Sequence, residues 1–264
     1  MQGLSIVLNH FKLIAKIFVV IMAFAPLMGK AQSSNQQTVG NDLYQVDMIR
    51  AVPGKMTELI ELYKSLKANN YFTAIGQQPP MIMRHSQGDH WDLFLLTPIE
   101  GGYSSHYGPQ KAAVRQQFQE AITLTTNELN NRIDYREQLY VRGPSHEVVL
   151  GAFNRNDFYH IEMFSARGGH YDDLLKQRQM ENDFLMRINL NPNMIFTTDF
   201  GSDYDMFTLG FYQNLQDYAK PDSVTAEEMN QAAVAAGFKS SSDIANYLRT
   251  FLTRHNDTLA VSVK

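Results

Sequence analysis

The chain has 264 residues, of which 44% are hydrophobic and 19% charged, with a formal net charge of −4. That balance excludes a disordered or fibrous chain, and the length suits one large domain or two small ones. There is no cysteine, which excludes disulfides, thiolate metal sites, a cysteine nucleophile and a lipoprotein anchor.

The only long apolar run comes first. Lys12 and Lys16 precede Ile17 to Leu27, a run of 11 residues, and Gly29-Lys30-Ala31 places small residues at −3 and −1 of a cleavage site. This is the pattern of a signal peptide, residues 1–31, and the run is shorter than the roughly 20 residues that span a bilayer. An exported protein, periplasmic or secreted, is expected; an uncleaved anchor is the alternative. Without Lys12, Lys16 and Lys30 the chain carries 20 basic against 27 acidic residues. It has no basic run and no Arg/Lys stripe with aromatics, so neither nucleic acid nor an anionic membrane surface is expected as a partner.

The rest of the chain repeats itself. Tyr44 to Ala51 (YQVDMIRA) aligns with Tyr159 to Ala166 (YHIEMFSA) at a shift of 115, followed by Gly54 with Gly169 and Leu59 with Leu174. Met81-Ile82-Met83 and Gly88 to Phe94 align with Met194-Ile195-Phe196 and Gly201 to Phe207 at a shift of 113. A third block sets Arg136 and Leu139 against Arg249 and Leu252.

In chain order, Tyr44, Val46 and Met48 alternate with Gln45 and Asp47 as in a strand, and Pro53-Gly54 ends it. Met56, Leu59, Ile60, Tyr63 and Leu66 recur at helical spacing. Met81 to His85 and Trp91 to Leu96 read as a hairpin around Ser86-Gln87-Gly88-Asp89, with Pro98 ending the second strand. A helical region carries Val114, Phe118, Ile122, Leu129 and Ile133, and Glu147 to Phe153 reads as a closing strand. The second copy runs the same way. Tyr159 to Phe164 is a strand and Tyr171, Leu174 and Leu175 start a helix. Met194 to Thr198 and Tyr204 to Phe211 form a hairpin around Gly201. Thr225 to Glu228 is a capping box, Ile244 to Phe251 is helical, and Leu259 to Val263 is the last strand. The predicted order, β-α-β-β-α-β twice, is the ferredoxin-like pattern. The expected fold is α+β: two tandem units, residues 42–153 and 157–264, packed sheet to sheet.

The strand-Gly-helix start (Tyr44 to Leu59; Tyr159 to Leu174) and the Gly-x-x-Trp/Tyr-Asp hairpin (Gly88 to Asp92; Gly201 to Asp205) resemble the dimeric α/β-barrel superfamily, which includes antibiotic-biosynthesis monooxygenase-like and NIPSNAP-like domains. The resemblance covers nearly all of the chain after residue 31. It implies a small-molecule-binding protein, with a cofactor-independent oxygenase-like or isomerase-like enzyme as one form. A non-catalytic envelope or stress-related protein and a haem- or metal-binding protein are alternatives. No histidine aligns with a haem axial motif, and the cofactor stays unassigned. A small-molecule ligand and a homo-oligomer are the partners left open.

If Val46, Met48, Ile161 and Met163 face the helices, then Gln45, Asp47 and Ile49, with His160, Glu162 and Phe164, face a cavity between the units. Asp92 and Asp205 join them from neighbouring strands, and Arg84 is a partner on the second strand. Buried acids in such a cavity suit proton transfer; equally, Asp47 with Arg84, or Glu162 with a neighbour, suits a structural ion pair. His160-x-Glu162 with Asp205 has the composition of a metal site, although the first copy has Gln45 in place of the histidine. His85, His90 and His106 cluster near a glycine-rich stretch, Glu100 to Tyr107, that reads as a lid, or as surface. Trp91 reads as core. There is no P-loop, dinucleotide fingerprint, G-x-S-x-G or H-E-x-x-H. N-terminal sequencing of exported protein should begin at Gln32; material beginning at Met1 would contradict the signal peptide.

Overall fold

The computed structural model describes residues 38–220 and 224–264, so the expected signal peptide lies outside the described residues. Its eight strands are β1 (Asp42–Ala51), β2 (Met81–Gln87), β3 (Leu93–Ile99), β4 (Ile133–Gly143), β5 (Phe158–Ala166), β6 (Met194–Phe200), β7 (Met206–Tyr212) and β8 (Leu252–Val263). They close into one antiparallel barrel in the order β1-β3-β2-β8-β5-β7-β6-β4. The helices are α1 (Met56–Ala68), α2 (Tyr71–Ala74), α3 (Gly102–His106), α4 (Pro109–Gln117), α5 (Gln119–Asn130), α6 (His146–Arg155), α7 (Tyr171–Arg187), α8 (Leu215–Tyr218), α9 (Ala226–Ala235) and α10 (Ile244–Arg249). None of the described helices is long and apolar enough to cross a membrane.

The two halves of the barrel match in detail. Strands β4-β1-β3-β2 run in the same relation as β8-β5-β7-β6. The β1–β4 ladder slips between Arg50 and Ala51, and the β5–β8 ladder slips between Ser165 and Ala166. Ladders β2–β8 and β6–β4 join the halves and also slip at matching places. The hairpin motif explains part of this match. Asp92 accepts the backbone N–H of Ala51 at 2.8 Å, and Asp205 accepts that of Ala166 at 2.7 Å. Each aspartate therefore satisfies a donor that the slip removes from the ladder. A Cβ on Gly88 would strike the Asp257 carbonyl, and one on Gly201 the Gln138 carbonyl, so each hairpin lies on the long strand beside it.

Three expectations fail here. Glu147 to Phe153 is not a strand but part of α6, where Ser145 caps the Val148 N–H and Val149, Ala152 and Phe153 share a buried face. The closing strand is β4, whose Asp134 to Gln138 stretch is too polar to read as a strand. The third repeat block is out of register as well. Asp47 pairs with Gln138 and Glu162 with Asp257, so the strand partner of Arg136 in the other half is His255. Arg249 lies at the end of α10. Finally, β3 continues through Pro98 to Ile99.

The expected facing of the strands is also reversed. Phe94 on β3 and Phe207 on β7, opposite one another around the ring, meet at 5.3 Å between ring centroids. Val46, Met48, Ile161 and Met163 pack in that same central cluster, with Trp91 and Tyr204. The alternate residues Ile49, Leu93 and Leu95 pack against Leu59 and Tyr63 of α1. Asp47, His160 and Glu162 therefore sit under the helices, not between the two sheets. A closed eight-stranded barrel is filled by its own side chains and leaves a charge neither water nor a partner, whereas the helical layer supplies cations and edges. Gly88 has φ +129°. Gly88→Ala should lower unfolding free energy by about 1–3 kcal/mol through backbone strain and the clash with β8; an unchanged denaturation midpoint would refute the hairpin's close approach.

Candidate functional site

Between the outer face of the first half and its helices lies a cavity of about 370 Å³. Its floor comes from β1, β3 and β4 and its walls from α1, α2, α4 and α5. Phe72, Ile75, Leu95, Pro98, Ile122 and Leu129 give it apolar walls, and Gln45, Asp47, Tyr63, His106, Lys111 and Arg136 are among the polar groups that share its lining about equally. Polar groups that converge on a concave, partly apolar surface suit a ligand site.

The register of β1 against β4 builds the polar floor. Asp47 accepts hydrogen bonds from Arg136 Nε at 2.9 Å, Gln138 Nε2 at 2.9 Å and Gln45 Nε2 at 2.8 Å. Above them stands Tyr63, from the third turn of α1. Its hydroxyl is buried and has no hydrogen-bond partner. Burial pushes its pKa up, against the opposing pull of Arg136, so the hydroxyl keeps its proton and remains a free donor. His106, on the short helix α3, is lowered by burial and by the charges of Arg115 and Lys111, so its imidazole is neutral at physiological pH. Lys111 Nζ donates to the Gly76 carbonyl and ties α4 to the loop after α2.

The second half fills the corresponding space. Arg178, from the third turn of α7, is 2% exposed, lies 3.5 Å from Glu162 Oε2 and bonds to Glu181. Its guanidinium also covers the Phe164 ring at 4.8 Å. His255 stands 3.4 Å from Glu162 Oε1, and His160 Nε2 lies 3.0 Å from Asp257 Oδ1. Burial would raise the Glu162 carboxyl, but the His255 imidazole and the Arg178 and His160 charges outweigh it and bring it to about 2.

The six candidate residues thus separate into four places. Asp47 lines the cavity, His160 and Glu162 share the second-half cluster, and Asp92 and Asp205 are bound to backbone at the ladder slips. Arg84 is exposed on β2 and is not the partner of Asp47; that role belongs to Arg136. Of the three histidines near the first hairpin, His106 lines the cavity, while His90 bonds to Asp89 at 2.5 Å and His85 lies against Trp91. The expected lid, Glu100 to Tyr107, is mostly α3, held by Tyr103 stacked on Phe200 at 5.7 Å. Reasoning from sequence missed Tyr63, which reads as one more core residue of an amphipathic helix. It also missed Arg136, Gln138, His255 and Asp257, which lie on the misplaced fourth strand and its counterpart. The twin patterns His160-x-Glu162 and His255-x-Asp257 were the available signal.

An anthrone oxidase-like protein of known structure superposes on this chain with a TM-score of 0.54 at 12% identity, over 88% of this chain and 94% of that one. The shared fold is a closed eight-stranded antiparallel barrel with helices outside it, consistent with the dimeric α/β-barrel type. A proposed monooxygenase of Lactobacillus acidophilus NCFM aligns with a TM-score of 0.47 at 7% identity, over 85% of this chain and 95% of that one. A mutant chlorite dismutase of Candidatus Nitrospira defluvii aligns at 0.47 and 11% identity, over 88% and 95%. Only the first superposes closely enough to argue from, and at that identity it fixes the fold alone. No protein-family model and no curated protein matches the sequence.

In this α/β-barrel the side chain of Asp47 is buried and that of Arg136 is 37% exposed. Asp47→Ala leaves three donors without their acceptor and should cost about 1–3 kcal/mol, reduced by the water that reaches Arg136. Arg84→Ala should change stability by less than about 0.5 kcal/mol. Equal midpoints for the two variants in urea would show that the Asp47 network does not hold the sheet.

Proposed function

We propose that this is an exported small-molecule-binding protein of the dimeric α/β-barrel type, whose ligand occupies the cavity under α1 and which acts on it as a cofactor-independent oxygenase-like or isomerase-like enzyme. We read residues 42–153 and 157–264 as tandem ferredoxin-like units, one open to ligand and one filled. The matching strand orders and ladder slips support that reading.

One observation carries the functional reading: a buried, unpartnered hydroxyl on Tyr63, which lines a 370 Å³ cavity together with the Asp47–Arg136 pair. A buried donor without a partner costs stability that a ligand acceptor would recover. The ligand is therefore a small molecule with both apolar and polar surface, including a carbonyl or phenolic oxygen that meets Tyr63. Oxygenases without cofactor and isomerases share one need: a proton leaves carbon or oxygen and the anion formed must be held. Tyr63 donates to that oxygen, Arg136 adds positive potential, and Asp47 fixes Arg136. The neutral imidazole of His106 is the proton acceptor.

A haem reading draws no support from the cavity. The imidazole lining it, His106, is packed edge-on to Tyr107 at 4.7 Å and near Tyr140 at 6.1 Å. The space between the two halves is closed by packing, as a non-catalytic protein would have it; the cavity under α1 is what favours a ligand.

Protein purified from its own host should carry a small molecule in native mass spectra. Tyr63→Phe should lose it, with affinity down about tenfold for one hydrogen bond and melting temperature unchanged or raised. Retention of the same ligand by Tyr63→Phe, or a host-purified protein with nothing bound at any concentration of extract, contradicts the assignment.

A further inference from the structure

The second-half cluster brings metal-ligand side chains together on one face of the sheet. One ligand atom each from His160, Glu162 and Asp257 lies within 4.8 Å of the other two. Strand register makes this arrangement: on β5, His160 and Glu162 are two residues apart on one face, and Glu162 pairs directly with Asp257 on β8. Bonds of about 2.0–2.2 Å around one ion keep its ligand atoms roughly 3–4.4 Å apart. The His160–Asp257 distance, 3.0 Å, is already in that range.

The surroundings hold these side chains in place. Thr208 Oγ1 donates to Glu162 Oε2 at 3.1 Å, and Arg178 stands beside the same oxygen. His255 reaches Glu162 Oε1 at 3.4 Å and Asp257 Oδ2 at 3.6 Å, with its ring stacked on Phe164 at 4.8 Å. Oriented carboxylates with outer partners are what a metal centre needs. The first half makes the contrast. The register sets Arg136 where the second half has His255, Gln138 where it has Asp257 and, from the aligned first strands, Gln45 where it has His160. There the cation is a side chain. In the second half, Glu162 and Glu181 share a single guanidinium, that of Arg178, while Asp257 meets the imidazoles of His160 and His255. Asp257 is 57% exposed, so water reaches the cluster and can complete a coordination sphere.

We propose that His160, Glu162 and Asp257 bind one divalent transition-metal ion of the Zn²⁺ class, with His255 as a positioning residue that holds both carboxylates. One imidazole and two carboxylates suit such an ion and disfavour Ca²⁺, which takes oxygen ligands. The site stands apart from the cavity under α1 and does not depend on the function assigned there. Asp205, the third ligand that the sequence suggests, is engaged with the Ala166 N–H and takes no part.

The test is calorimetric titration of the EDTA-stripped protein with Zn²⁺, paired with thermal melts. The expected result is one Zn²⁺ per chain and a melting temperature that rises with metal. His160→Gln and Asp257→Asn should each weaken binding about 100-fold or more, and His255→Gln about 10- to 100-fold. Asp205→Asn should leave the affinity unchanged. Asp257 is largely exposed, so its variant keeps the fold, as circular dichroism can verify. No binding at millimolar Zn²⁺, equal affinity for Ca²⁺, or wild-type affinity in both His160→Gln and Asp257→Asn overturns the proposal.

Discussion

Closure of the barrel around Phe94 and Phe207 is the constraint on which the rest depends. Once eight strands seal an apolar interior, every side chain that alternates outward must find its partners in the helical layer. Asp47 and Glu162 are the clearest consequences. Each sits at the same register of its half, each is nearly inaccessible to solvent, and each is neutralised from the outside, by Arg136 or by Arg178. A carboxylate inside the barrel would have had neither.

The two halves then diverge at one helix position. The third turn of α1 offers a tyrosine whose ring packs and whose hydroxyl is left over. The third turn of α7 offers an arginine that spans the same gap and bonds to two glutamates and a phenylalanine face. The first half keeps a cavity and the second is packed with charge. This is a local difference on a shared frame: slips in the ladders, Asp92 and Asp205 on the freed N–H groups, and glycine hairpins lying on the long strands are common to both.

Much of the frame was legible in the sequence. The 115- and 113-residue shifts located six strands and two helices in the right order, and the Thr225 capping box was read correctly. What failed did so for physical reasons. Strand β4 is polar because its outward residues serve Asp47, so its alternation is hidden, and the apolar spacing of α6 took its place. The facing of β1 and β5 was inverted because both the barrel interior and the helical layer demand apolar surface. Alternation alone cannot tell which face wins; the ring contact between Phe94 and Phe207 decides it. Tyr63 was invisible because a core tyrosine and a donor tyrosine leave the same trace in a helical pattern. His160 and Glu162 were recognised as neighbours, but their true companions, His255 and Asp257, come from the register of a strand that the repeat had misaligned.

On the proposed function the ligand lies outside the barrel, under α1, while the interior is packed shut. A crystal structure of protein purified from its own host, with its ligand retained, tests this most directly. Density between α1 and strands β1, β3 and β4, in contact with the Tyr63 hydroxyl, is the predicted result. Ligand density inside the barrel, with Phe94 and Phe207 parted, would contradict it.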